Sequence, residues 1–302
     1  LGLAVLAHGQ TPLQNLSLGL LSGLIFVVHP RAVVATFAVV SLALVTSSKY
    51  LRRPLLVGVI VGWMLSGALI FWTDTWQESR VESAQETIAL FDVIVSGLGQ
   101  ITAMANSSIG LGLLGALMSL ATTSHVMRRK APLNSNAATR VYLGAGFLAM
   151  TILGGIALAG SERLDTAIYG RYLDPWVLPL VIVAIAQLKT RPTRSQLRQL
   201  TLTFAVGVIV LAFASTDLVE PPRRIMTLSS GWMWEITNQV PIFLAMTVAV
   251  GALVVVVKQV FPDKMAHVLV GVLLLTSAGS TAVNHAHLSA VGDIAEGQAS
   301  TV

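Results

Sequence analysis

Apolar stretches separated by short polar links dominate the chain from residue 14 to residue 283. The runs fall at 14–28, 32–47, 54–72, 107–126, 141–160, 174–188, 200–216, 240–258 and 265–283. Crossing a hydrocarbon core of about 30 Å takes about 20 helical residues, and these runs reach or approach that length. The first two and the sixth are short for it, so they are expected to be thin or partly re-entrant. The pattern predicts an all-α fold, a polytopic transmembrane helical bundle of about nine full spans with a partial N-terminal helix before them. Residues 1–302 are read as a single transmembrane domain.

Charge gives the runs a direction. Lys49, Arg52 and Arg53 share one link, and Arg128, Arg129, Lys130 and Arg140 share the next basic one. Lys189, Arg191, Arg194 and Arg198 form a third, and Lys258 with Lys264 a fourth. With the runs counted as above, all four links fall on one side, and Asp263 is the one acidic residue there. A wrong count would swap sides downstream and mix the signs. By the positive-inside rule the basic side is cytoplasmic, which predicts an integral protein of the plasma (inner) membrane with its C-terminus outside. The longer links, 73–106, 161–173 and 217–239, become outer loops. Within the first, residues 87–105 are semi-apolar but interrupted by Asp92 and Gln100, and are read as an interfacial helix lying along the outer surface. Trp72, Trp76, Trp176, Trp232 and Trp234 fall near that face, as an aromatic belt would.

Composition supports the same class. Hydrophobic residues make up 54% of the chain and charged residues 11%, against about 25% charge in soluble domains. The net charge of +5 resides largely in the basic links, so membrane orientation accounts for it and nucleic acid is not an expected partner. The chain has no cysteine, which removes disulfides and thiolate metal sites. His285 and His287 have no evident third ligand, and no metal or cofactor is expected. No phosphate-binding glycine loop, nucleophile elbow or HExxH pattern occurs. Glycines in 109–115 and 144–155 read as faces for close helix packing. No internal repeat supports an inverted-repeat transporter, and the runs carry few polar groups that would serve a carrier at mid-membrane.

Two outer segments carry candidate chemistry. In GLLSGLIFVVHPRA, residues 19–32, a span ends at His29-Pro30-Arg31; a guanidinium there suits a lipid phosphate or ordinary headgroups. In SERLDTAIYGRYLDPWVLPL, residues 161–180, Glu162, Arg163, Asp165, Arg171 and Asp174 are interleaved with Tyr169 and Tyr172. Carboxylates beside arginines and tyrosines suit sugar hydroxyls and a phosphate, and equally a salt-bridged loop anchoring span ends. Asp74, Glu78, Glu82 and Glu86 recur every four residues, the spacing of a solvated helical face.

On these two segments, Gly19 to Arg31 and Arg171-Tyr172-Leu173-Asp174-Pro175, the chain resembles the C-terminal part of the GT-C type membrane glycosyltransferases. The resemblance implies a polyprenyl-phosphate-linked sugar as substrate, with its tail among membrane lipids. It implies donor phosphate binding by Arg31, Arg171 and His29, and sugar or acceptor binding by Tyr169, Tyr172, Asp165 and Asp174. The catalytic carboxylate of that family lies in the first outer loop, which has no counterpart here, so no catalytic residue is assigned. The chain begins at Leu1 inside an apolar stretch, which agrees with the expectation of a C-terminal portion of a longer protein. A non-catalytic envelope scaffold and a lipid or solute transporter are the alternatives.

Overall fold

In a computed structural model, the described residues are 11–27, 32–46, 49–73, 89–129, 133–159, 172–188, 240–261 and 263–279, with scattered positions at 198–209 and residue 282. The regular structure among them is helical throughout. The helices are α1 (Pro12–Leu24, prolonged by the 3₁₀ turn Ile25–Val27), α2 (Val33–Val45), α3 (Lys49–Thr73) and α4 (Leu90–Ser107). They continue as α5 (Leu111–Arg129), α6 (Ser135–Leu158), α7 (Asp174–Leu188), α8 (Val240–Val260) and α9 (Met265–Gly279). Each predicted run coincides with one of these except 200–216, most of which lies outside the described residues.

The expected number of full spans is met only in part. Among the described residues, two helices, Arg52–Trp72 and Ser135–Leu158, are long and apolar enough to cross a membrane. Helices of 13 and 15 residues, such as α2 and α7, extend only about 20 Å at 1.5 Å per residue.

Local signals explain the ends. Thr11 caps α1 reciprocally: its hydroxyl accepts from the Gln14 amide at 3.2 Å, and the Gln14 side chain accepts from the Thr11 amide at 3.0 Å. Pro12 follows at the first helical position, where its missing N–H costs nothing. Asn134 caps α6 by accepting from the Ala137 amide at 2.8 Å.

Two cores organise the bundle. The first joins α1, α2, α3 and the start of α6 through Leu18, Val39, Leu42, Leu55, Ala138 and Val141. Here α1 and α3 run parallel with glycines face to face. A Cβ on Gly19 would strike the carbonyl of Leu55, and one on Gly58 the carbonyl of Leu16; Gly23 and Gly62 repeat the fit one turn on. Both helices therefore carry the small-xxx-small spacing that lets backbones touch. The Ser66 hydroxyl donates to the Gly23 carbonyl at 2.8 Å, and the Thr36 hydroxyl to the Ser22 carbonyl at 2.8 Å. Trp63 Nε1 donates to Thr36 Oγ1 at 3.1 Å, which ties α2 into the pair.

The second core joins α4 to α9 through residues such as Met104, Leu114, Phe147, Leu173, Leu180, Val254 and Leu269. Gly115 admits the Leu180 carbonyl between α5 and α7, and Gly144 lies against Ser119 and Leu120 of α5. Trp176, expected in the aromatic belt, is half-buried and sets its ring over Gly146, 5.8 Å from the ring of Tyr142. The slot left by a missing side chain takes the indole.

The helix expected to lie on the outer surface is corrected most. Its polar residues Ser96, Gln100, Thr102, Asn106 and Ser107 are all buried in the bundle, while Leu90, Phe91 and Ile94 are exposed. A helix at a water interface would show the opposite arrangement. Glycines 154 and 155 of α6 let α4 in: a Cβ on Gly155 would meet the Val93 carbonyl, and one on Gly154 the Gln100 amide.

Candidate functional site

Arg52, Arg53, Arg128 and Arg140 gather at one end of the bundle. Leu42 and Ala43 near the end of α2, Leu55 near the start of α3, and Ala138 with Val141 near the start of α6 share a core. Arg52, Arg53 and Arg140 follow from that, and Arg128 closes α5 just before α6 begins. Arg140 donates from Nη2 to Gln187 Oε1 at 3.2 Å, so the end of α7 joins the same group. We call this the basic end.

At the opposite end the chain turns inside the protein. Residues 102–116, the end of α4, the link and the start of α5, form one unbroken buried run. Links between helices normally lie at the surface, because their backbone groups need partners. Here the partners are local. Ser108 Oγ donates to the Met104 carbonyl at 2.7 Å and accepts from the Gly112 amide at 2.9 Å, closing one helix and opening the next. The Gly110 amide returns to the Ala105 carbonyl at 2.7 Å. Ile109 takes φ 50° and Gly110 φ 75° to make the reversal. A β-branched residue in the left-handed region is a strained choice, the kind that gathers at functional sites.

Asn106 sits on this corner with no exposed surface. Its Nδ2 donates to Thr247 Oγ1 of α8 at 2.8 Å, while Oδ1 has no partner among the described residues. Gln100, one helical stripe earlier and also fully buried, donates from Nε2 to the Ser96 carbonyl at 3.2 Å and leaves Oε1 likewise without a partner among them. An unmatched buried acceptor costs about 1–3 kcal/mol. Two carbonyl oxygens on one helix can therefore each take a hydrogen bond from a hydroxyl or amine that enters. Polar interior groups were not expected from the apolar runs; a stripe of Ser96, Gln100 and Ser107 at helical spacing, with Asn106 beside its last member, is the signal that marks them.

Of the residues proposed from sequence, the structure describes two. Tyr172 is buried and Asp174 half-buried in the first turn of α7. Since α5 and α7 both run toward the basic end and meet at Gly115 and Leu180, Tyr172 and Asp174 stand at the same end as the Asn106 corner. Asp92, in the first turn of α4, belongs to this end too, through Val93 against Gly155 near the close of α6. His29, Arg31, Asp165, Tyr169 and Arg171 lie outside the described residues. The segment 19–24, which the resemblance treats as part of a donor-facing hairpin, has a packing role through Gly19 and Gly23. Among the described residues no group of three His, Asp or Glu side chains is placed to hold a metal ion.

Comparison with known proteins finds no matching family model, no matching curated protein and no matching solved structure.

Proposed function

We propose that this chain is an integral membrane protein of about nine spans, basic links in the cytoplasm, that acts outside on a lipid-linked sugar as a glycosyltransferase. One observation carries the reading. The end opposite the basic residues holds a strained, buried corner with an unmatched amide oxygen on Asn106, alongside Tyr172 and Asp174. Acceptors shielded from water discriminate strongly for a ligand that brings donors, as sugar hydroxyls do. The exposed surface supports the membrane part: Phe71, Trp72, Leu90, Leu178 and Leu275 are each more than two-thirds exposed, a wetting cost that lipid removes.

In this reading a polyprenyl-phosphate sugar places its tail along the helices and its phosphate near Arg31 and Arg171. An acceptor hydroxyl attacks the anomeric carbon as the bond to the phosphate oxygen breaks. The lipid phosphate leaves with that electron pair, and the acceptor's proton passes to a carboxylate. Asp92 and Asp174 are the carboxylates at that end among the described residues. The purified chain in nanodiscs should release polyprenyl phosphate from such a donor, and Arg171→Ala should slow release without unfolding the protein. No release with any polyprenyl-phosphate sugar sinks the transferase reading.

The buried amides of Gln100 and Asn106 favour a second reading, a carrier of a hydroxyl-bearing solute, since transporters place polar groups inside the bundle. Uptake into proteoliposomes without cleavage of a donor would select it.

A further inference from the structure

A groove of about 380 Å³ lies between α2, α5 and α6. Phe37, Leu44, Leu120, Met127, Leu148 and Ile152 supply most of its wall. Thr123 and Ser41 also line it; the Thr123 hydroxyl turns back to the Ser119 carbonyl at 2.9 Å, so the lining is apolar apart from Ser41. The groove is open along one side, and Phe37, Leu44, Met127, Leu148 and Ile152 are all substantially exposed.

We propose that this groove holds one acyl chain of an anionic phospholipid drawn from the leaflet on the basic side. The inference rests on the membrane reading above, but not on the transferase reading.

Three features fix the occupant. First, length: the α5 wall, Leu120 to Met127, rises about 10 Å at 1.5 Å per residue. The α6 wall, Ala145 to Leu153, lies mainly in the half of that helix farther from the basic end, so the groove continues past the α5 wall toward the opposite end, as an extended chain would. Second, volume: 380 Å³ is at the small end of ligand pockets, which begin near 300 Å³, and suits one chain rather than a bulky ring system. Third, charge: two of the groove's walls, at Met127 and Val45, reach the basic end. Met127 is followed by exposed Arg128, and Val45 is four residues before exposed Lys49. Two cations at that end of an apolar slot match a phosphate head above a hydrocarbon tail.

Lipid tails are as apolar as the groove wall, so the hydrophobic effect does not favour the groove over the bilayer. Retention must come from shape and from the head. Each of Arg128 and Lys49 should add about 1 kcal/mol toward an anionic head, about fivefold in preference.

The test uses the full chain, delipidated in detergent and offered phosphatidylglycerol or phosphatidylcholine with identical chains, read by native mass spectrometry. One retained phosphatidylglycerol per protein, preferred over phosphatidylcholine, is the expected result. Arg128→Gln should lower that preference about fivefold, and Ala149→Phe, which fills the slot, should abolish retention of either lipid. Equal retention of the two lipids by the native chain, meaning annular lipid only, overturns the proposal. So does unchanged retention in Ala149→Phe, or a lipid-free dimer that Ala149→Phe splits, which would make the groove an interface between copies. Should Ala149→Phe not fold, Ala149→Cys replaces it, as the chain has no other cysteine. Phosphatidylglycerol, and not phosphatidylcholine, should then protect that thiol from maleimide, and equal labelling rates with both lipids refute the site. Loss of donor cleavage in the transferase assay would leave these readouts unaffected, whereas a water-soluble chain that binds neither lipid would refute the membrane reading itself.

Discussion

Gly58 and Gly67 lie on the same helix and offer a matched test of backbone-to-backbone packing. Replacing either by alanine adds one methyl group and, by helix propensity alone, should stabilise the helix by about 0.5–1 kcal/mol. At Gly67 the new Cβ meets nothing within 4 Å, so that gain stands. At Gly58 it would be 2.8 Å from the Leu20 amide nitrogen and would overlap the Leu16 carbonyl. Carbon contacts are optimal near about 3.5–4.0 Å, so α1 and α3 must separate by roughly 1 Å, which forfeits about a quarter to a half of each dispersion contact across the seam. Overpacking of this kind costs about 1–3 kcal/mol. The parting also stretches the Ser66–Gly23 hydrogen bond, now 2.8 Å, and interhelical bonds of that kind average about 0.6 kcal/mol in membrane proteins. Gly58→Ala should thus destabilise by about 1–3 kcal/mol after its propensity gain, and the two variants should differ by about 2 kcal/mol or more. Equilibrium unfolding in mixed micelles, followed by tryptophan fluorescence, measures the gap; Trp63 packs against Phe26 at 4.4 Å on this seam. Variants that agree within about 0.5 kcal/mol would refute the close approach of α1 and α3.

Other substitutions probe the remaining joints. Thr36→Val removes a hydroxyl that donates to Ser22 and accepts from Trp63, and should cost about 1–2 kcal/mol in the same unfolding assay. Gly110→Ala forces a Cβ into a residue at φ 75° and should lower stability by about 1–2 kcal/mol, read as a fall in Tm. Asn106→Leu removes the unmatched oxygen along with the bond to Thr247. Its stability should change by less than about 1 kcal/mol, since both the lost bond and the relieved acceptor are small terms, while donor turnover or solute uptake should fall. Asp174→Lys puts a cation at the N-terminus of α7 and should cost about 0.5–1 kcal/mol by opposing the helix dipole.

The helices were legible because apolar periodicity and length report on burial in any nonpolar surrounding, and α2, α3, α6, α7 and α8 stand close to the predicted runs. The turn before α5 was foreshadowed by Ser107-Ser108-Ile109-Gly110, a turn-forming string inside an apolar stretch. What misleads is the sign of polarity. Gln100 reads as water-facing, yet in a bundle whose outside is apolar a polar stripe turns inward to find partners. Gly19, Gly23, Gly58 and Gly62 carried a legible packing signal in their four-residue spacing. Assigning 19–31 to a ligand hairpin obscures it, because the same glycines suit either role until the facing helix is known. Trp176 likewise satisfies an interfacial pattern, and only the gap at Gly146 shows where its ring goes. Of the candidate site, Tyr172 and Asp174 were named from sequence, while Asn106 was not, since nothing in a single sequence says which polar residue the fold will leave unmatched.

Access to Asn106 follows from how the cores are joined. On one flank α5 is locked to α7 at Gly115 and to α6 at Gly144, where backbone meets backbone and no side chain can yield. On the other flank α8 closes the corner through the hydroxyl of Thr247 and a stripe of valines, Val250, Val254 and Val257. A hydrogen bond between side chains and a β-branched stripe part more cheaply than interlocked glycines, so among the described helices α8 is the more easily parted neighbour of the corner. The apolar groove lies among α2, α5 and α6 and does not involve α8. On the proposed reading, a lipid held there would brace the interlocked half of the bundle and leave the more adaptable packing beside the unmatched acceptors of Gln100 and Asn106.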